Sequence, residues 1–138
     1  DTLRIDGTDY RQRAVDGHAR VLTDEEYRSA ISAAASVGIA SDDAFADVIG
    51  HLAQVHPSRY IRLIDGVSTV GLRDVTEFDD QSAALRFVAF VDRVYDAQIP
   101  VRATGLSLDG VFPEEMLAGG YRKKYLRAIS RLVASTLA

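Results

Sequence analysis

The 138-residue chain has no cysteine and no tryptophan, and only three histidines, His18, His51 and His56. Without thiols there is no disulfide framework, no thiolate zinc site and no cysteine nucleophile. Three imidazoles leave little for a histidine-rich metal centre. No apolar run approaches the roughly 18 residues of a membrane-spanning helix, and the N-terminus lacks the basic-then-apolar order of a secretory leader. These absences point to a cytoplasmic protein. The sequence also holds no G-x-x-x-x-G-K-[ST], so it lacks the backbone nest and lysine that cradle nucleotide phosphates. No G-x-G-x-x-G follows a strand, and neither H-E-x-x-H, G-x-S-x-G nor an EF-hand spacing occurs.

The composition is that of an ordinary folded domain. Apolar residues make up 47% and charged residues 26%, which argues against intrinsic disorder. The length suits one core, with about two thirds of the unfolded surface buried. The charge is unevenly spread. All 20 acids lie in residues 1–120 with 11 basic residues, a balance of −9, whereas residues 121–138 carry Arg122, Lys123, Lys124, Arg127 and Arg131 and no acid, a balance of +5. A terminal helix with cations on its solvent face gives such a count, and so does an element that docks an acidic partner. The chain starts at Asp1, with Leu3 and Ile5 already alternating like a strand, so it reads as a piece of something longer.

Asp-Gly pairs at 6–7, 16–17, 65–66 and 109–110 mark turns, and the first two bracket Tyr10 to Val15. A short antiparallel strand system is expected between Leu3 and Leu22. Thr23 with Glu26 forms a capping-box pattern, predicting a helix over 24–36 that Gly38 closes. Ser41 is expected to cap a second helix presenting Phe45, Val48, Ile49 and Leu52, stopped by Pro57. Tyr60 to Ile64 reads as a strand. Asp79 or Asp80 opens an amphipathic helix to Asp96, with Ala84, Phe87, Val88, Val91, Val94 and Tyr95 on one face. A strand at 99–104 follows. Pro113, Glu114 and Glu115 suit a helix first turn, Gly119-Gly120 ends that helix, and a last helix spans 121–137 with Tyr125, Ile129, Leu132 and Val133 inward. This order predicts a single α/β domain, an open sheet with helices packed on it. Its strands 60–64 and 99–104 are expected to be parallel neighbours joined by the 80–96 helix.

Three groups of residues could carry chemistry. Asp65 would stand at the carboxyl end of the 60–64 strand, where open α/β sheets place ligands and where an acid can hold Mg²⁺ through water; its ordinary role is the Asp-Gly turn. Arg86 and Asp92 are six apart on one helix and so face different ways, and each needs a partner elsewhere. Arg127 and Arg131 share one face of the last helix, a repulsive spacing unless an acid or anion sits between them. The carboxylate pairs 79–80 and 114–115 are explained by helix capping. Aromatics do not interleave with the basic run, so no nucleic-acid partner is expected.

Taken in order, Asp9-Tyr10-Arg11 with Arg13, Asp65-Gly66-Val67, the run from Arg86-Phe87 to Asp92 and Tyr95-Asp96, Leu108-Asp109 before Phe112, and Arg127 with Ser130-Arg131-Leu132 resemble the C-terminal part of the ZapE-type cell-division ATPases of the AFG-like P-loop family. The resemblance covers nearly the whole chain. It departs from the family at Ser68, where a proline is usual, at Ala103-Thr104-Gly105, and at Val133-Ala134-Ser135. It implies a P-loop/AAA-related fold whose Walker motifs lie upstream, with ATP and Mg bound by the full-length protein and none by this chain. It also implies that Arg127, Arg131 and Asp65 are nucleotide-proximal or interface residues, that the first partner is the protein's own N-terminal ATPase region, and that the wider setting is cell division or protein turnover. In this chain the two arginines are expected to be partly exposed or paired with body acids. Alanine at either is expected to slow full-length turnover about tenfold or more and to leave the melting temperature of this piece nearly unchanged. The alternative reading is a non-enzymatic α/β module that docks an acidic protein through its basic terminal helix.

Overall fold

The computed structural model describes residues 18–138 and the backbone of two short strands, β1 (Arg4–Ile5) and β2 (Thr8–Asp9), which pair antiparallel. Of the strand system expected between Leu3 and Leu22, the stretch Tyr10 to Val15, the two Asp-Gly pairs that bracket it and the Tyr10-Arg11-Arg13 motif lie outside the described residues, and residues 18–22 form no strand. The body runs α1 (Asp24–Val37), β3 (Asp43–Ala44), α2 (Phe45–Leu52), a 3-10 turn at Pro57–Arg59, α3 (Tyr60–Leu63), β4 (Val70–Val75), α4 (Gln81–Asp96), β5 (Val101–Gly105), a second 3-10 turn at Leu108–Gly110, α5 (Glu114–Leu117) and α6 (Arg122–Leu137). The strands form one parallel sheet in the order β3-β4-β5.

The expected open α/β sheet is therefore present, but one of its strands lies elsewhere in the sequence. Tyr60–Ile64 is not a strand. Tyr60 and Ile64 are buried and Leu63 half-buried, while Ile61 and Arg62 are exposed. That spacing of three and four is the helical one; alternation would have buried Arg62 beside Tyr60 and Ile64. Pro57 starts the turn that leads into α3, with His56 Nδ1 accepting from the Ser58 N–H at 3.1 Å. The strand that precedes α4 is Val70–Val75, and its parallel register with β5 sets Val70 opposite Val101 and Leu72 opposite Ala103. The crossover through α4 is thus retained, fed by a different segment.

The helix starts follow local chemistry. Thr23 and Glu26 complete a reciprocal capping box at α1, and Asp80 accepts from the Ala83 N–H at 3.0 Å to open α4. Gly38 caps the end of α1 in an extended conformation. Ser41 does not cap α2: residues 40–44 run extended beside β4, and the helix starts from Ala44, which makes no side-chain cap. Nor does Pro57 end it, since α2 stops at Leu52.

The core lies between the sheet and the layer formed by α2, α4 and α6. Phe45, Phe78 and Phe87 pack with centroids 5.4–5.6 Å apart. Phe112 stacks on Phe78 at 5.7 Å and on Tyr125 at 4.7 Å. Burying an aromatic side chain is worth about 1.5–3 kcal/mol, and ring pairs add about 0.5–1.5, so this ladder pins the starts of α2, α4 and α6 to the carboxyl end of the sheet. α1 crosses the other face. Tyr27 is its one fully buried residue, and it reaches the sheet because residue 71 is glycine: a Cβ there would lie 2.6 Å from the Ser41 carbonyl and 2.8 Å from Ile31 Cδ1.

Candidate functional site

Arg127 and Arg131 converge on one acid. From the face of α6 they reach Asp92 on the neighbouring α4: Arg131 Nη1 donates to Oδ1 at 2.5 Å and Arg127 Nη2 to Oδ2 at 3.3 Å. Asp92 is the acid that the like-charge spacing of the arginines calls for, and it takes one guanidinium on each carboxylate oxygen. The two arginines differ. The side chain of Arg131 is 23% exposed and its guanidinium lies over the Tyr95 ring, 4.9 Å from the centroid, whereas that of Arg127 is 51% exposed. Arg131 is built into the seam between two helices, and Arg127 projects toward solvent with a longer and weaker contact. Two guanidiniums on one carboxylate leave the cluster with a net positive charge.

Asp65 is not part of this cluster. It sits in the turn after α3, where its N–H approaches the Arg62 carbonyl at 3.4 Å and Gly66 takes a positive φ of 76°. Because α3 leads into β4, this turn lies at the amino end of the sheet, opposite the expected carboxyl end. The acid at the carboxyl end of the central strand is Asp74. It is exposed, has φ 58°, and marks a bulge in the β4–β5 register, with its N–H bonded to Thr104 Oγ1 at 2.9 Å. A non-glycine residue in that conformation is uncommon and is held only where its surroundings enforce it.

Two further polar assemblies escaped sequence reading. Beneath α1, Asp42 Oδ1 accepts from the Tyr27 hydroxyl at 2.8 Å and from Arg73 Nε at 2.7 Å. The Arg73 bond, then the Tyr27 bond, lower the Asp42 pKa, while burial and the neighbouring carboxylate push the Tyr27 hydroxyl well above its usual range. After β5, Asp109 ties the segment at residues 18–19 to the body. Its carboxylate accepts from the Ala19 N–H at 2.8 Å, lies 2.9 Å from His18 Nδ1 and bonds the Ser107 hydroxyl. Burial works to raise its pKa, but bonds from Ser107, His18 and Ala19 outweigh burial and hold it low. Both assemblies join residues more than ten positions apart, a pairing that no local spacing reveals. Among the described residues no group of His, Asp and Glu side chains is arranged to hold a metal ion, and no helix is long and apolar enough to cross a membrane.

An open parallel sheet with crossing helices places the chain among α/β proteins. A family profile described as AFG1-like ATPase matches residues 23–137, and the chain belongs to that family. No curated protein and no solved structure matches it.

Proposed function

We propose that residues 1–138 form the C-terminal portion of a ZapE-type member of the AFG1-like ATPases, an accessory part of an ATP-hydrolysing machine and not its catalytic centre. The observation that carries this reading is the pairing of family membership over 23–137 with the lack of any phosphate-cradling motif in the sequence. Phosphoryl transfer rests on that cradle, its lysine and Mg²⁺, so the nucleotide and metal belong to a region upstream, the first partner of this one. Work in the cytoplasm on cell-division or other client proteins fits the same reading.

Arg127 is the residue best suited to act at that junction. It is half exposed and held only loosely, so it can leave Asp92 for a phosphate or a neighbouring subunit, while Arg131 keeps Asp92 neutralised. Arg131 is then a positioning residue. Asp65, in a turn at the other end of the domain from the expected ligand edge, fits a contact with another part of the protein better than a metal site.

The test is turnover by the full-length protein. Arg127→Ala is expected to lower ATP turnover about tenfold or more with the unfolding midpoint of residues 1–138 nearly unchanged. Arg127→Ala turnover equal to that of the parent protein would remove the arginine from the mechanism. An open reading frame without an upstream Walker A lysine would remove the ATPase reading itself.

A further inference from the structure

Between β3, α2 and α3 lies a cleft of about 400 Å³, at the small end of the roughly 300–1,000 Å³ that ligand pockets occupy. Its floor is apolar. Ile64, Leu72 and Phe90 form the buried base, and Val48, Leu63 and Val67 stay half-buried because the cleft leaves one side of each uncovered. A cleft of this size holds one or two side chains and not a whole helix.

The polar groups around it are few and mostly of one sign. Asp43, at the start of β3, and Asp47, in the first turn of α2, line the cleft together with Ser41 and His51. Both carboxylates are exposed, and neither has an ion-pair partner among the described residues. No lysine or arginine among the described residues lines the cleft, so its negative charge stands beside apolar surface with no fixed cation to oppose it. Asp42, between Ser41 and Asp43 in the chain, is spent elsewhere, on Tyr27 and Arg73.

We infer that this cleft captures the free N-terminus of a polypeptide whose first residue is bulky and apolar, such as leucine or phenylalanine. Acids and apolar floor lie on the same side of the sheet, so a ligand that uses both must carry a cation and an apolar group close together and facing one way. The first residue of a chain does so, because its ammonium and its side chain hang from one Cα, and capture of an N-terminal amine is an established mode of peptide recognition. The side chain covers the apolar floor, and the ammonium, a donor of up to three hydrogen bonds, meets the two carboxylates and the Ser41 oxygen. An internal lysine matches less well, since its ammonium ends a long stem whose rotamer freedom is lost on binding. In the machine proposed above, the cleft selects client proteins by their first residue. That role rests on the proposed function, whereas the binding itself does not.

Fluorescence anisotropy on the whole chain, without ATP, tests the cleft with a five-residue peptide that begins with leucine, continues with serine and glycine, and carries its label at an amidated C-terminus. The peptide is expected to bind saturably and to weaken as salt rises. Acetylating its N-terminus and replacing its leucine by glycine are each expected to cost about tenfold or more. The Asp43→Asn/Asp47→Asn protein should lose about as much, whereas Glu114→Gln/Glu115→Gln, with the same change in net charge at another helix start, should match the parent. Amide shifts in the parent, which need no variant to fold, are expected at Ser41, Asp43, Asp47 and Val67. No binding, equal binding by an acetylated peptide with leucine and an internal lysine, equal losses in both charge variants, or shifts elsewhere only would overturn the proposal. Each of those results leaves the ATPase reading to the turnover test above.

Discussion

Arg131→Ala removes a guanidinium that the seam between α4 and α6 is built around. Its 2.5 Å bond to Asp92 joins side chains 23% and 18% exposed, a setting in which a hydrogen bond between charged groups contributes about 1.5–3 kcal/mol. Stacking over Tyr95 adds about 0.5–1. The loss is moderated because Arg127 still contacts Asp92 and keeps it from standing alone, so about 2–3 kcal/mol is expected. Arg127→Ala breaks a 3.3 Å contact on a half-exposed side chain, worth about 0–1 kcal/mol. In a domain of this size 1 kcal/mol moves the melting temperature by about 3–5 °C. Arg131→Ala should therefore melt about 6–15 °C lower, and Arg127→Ala within about 5 °C of the parent. This departs from the sequence-based expectation that both changes are thermally silent; the geometry retains it for Arg127 alone. Urea unfolding of Arg131→Ala, Asp92→Ala and the double variant isolates the pair, with a coupling of about 1.5–2.5 kcal/mol expected. Equal costs for the two arginines, or a coupling below about 0.5 kcal/mol, would refute the division of labour.

Gly71→Ala would force a methyl group against the Ser41 carbonyl and the side chains of Tyr27 and Ile31; a loss of about 1–3 kcal/mol or more is expected in urea titrations, and an unchanged midpoint would show that α1 is not seated as described. Tyr125 is fully buried and its hydroxyl has no hydrogen-bond partner among the described residues. Tyr125→Phe removes an unpaired polar group and should leave stability unchanged or raise it by about 1 kcal/mol; a loss above that would reveal a bond to the hydroxyl. Asp109 has a depressed folded-state pKa, so its stabilisation is complete above the unfolded value near 4 and fades as pH falls through the folded value. Asp109→Asn should be less stable than the parent at pH 7, with the gap closing as pH drops below about 4; a gap that persists would assign the effect to packing.

Local chemistry was legible in the sequence, and long-range pairing was not. The capping box at Thr23, the Asp80 cap and the three-to-four spacing of α4 are signals contained within a few residues, and each element formed where its signal lay. At Tyr60–Ile64 the apolar content drew attention but the spacing decided: burial of Tyr60, Leu63 and Ile64 is a helical set. The strand at Val70–Val75 was missed because Gly71, Arg73 and Asp74 interrupt its apolar character, and only the sheet shows why each is there. Gly71 admits Tyr27, Arg73 reaches Asp42, and Asp74 forms the bulge. The like-charge spacing of Arg127 and Arg131 correctly called for an acid between them. That the acid is Asp92, some 35 to 39 positions away, follows from the packing of α4 on α6.

Titration of Mg-ATP into residues 1–138, beside the same titration into the full-length protein, tests the central claim most directly. The account predicts no measurable heat of binding for residues 1–138 and saturable binding for the full-length protein, because the groups that hold and polarise the phosphates are supplied from outside this sequence. A micromolar dissociation constant for residues 1–138 alone would contradict it, and would place a nucleotide site within this three-stranded sheet.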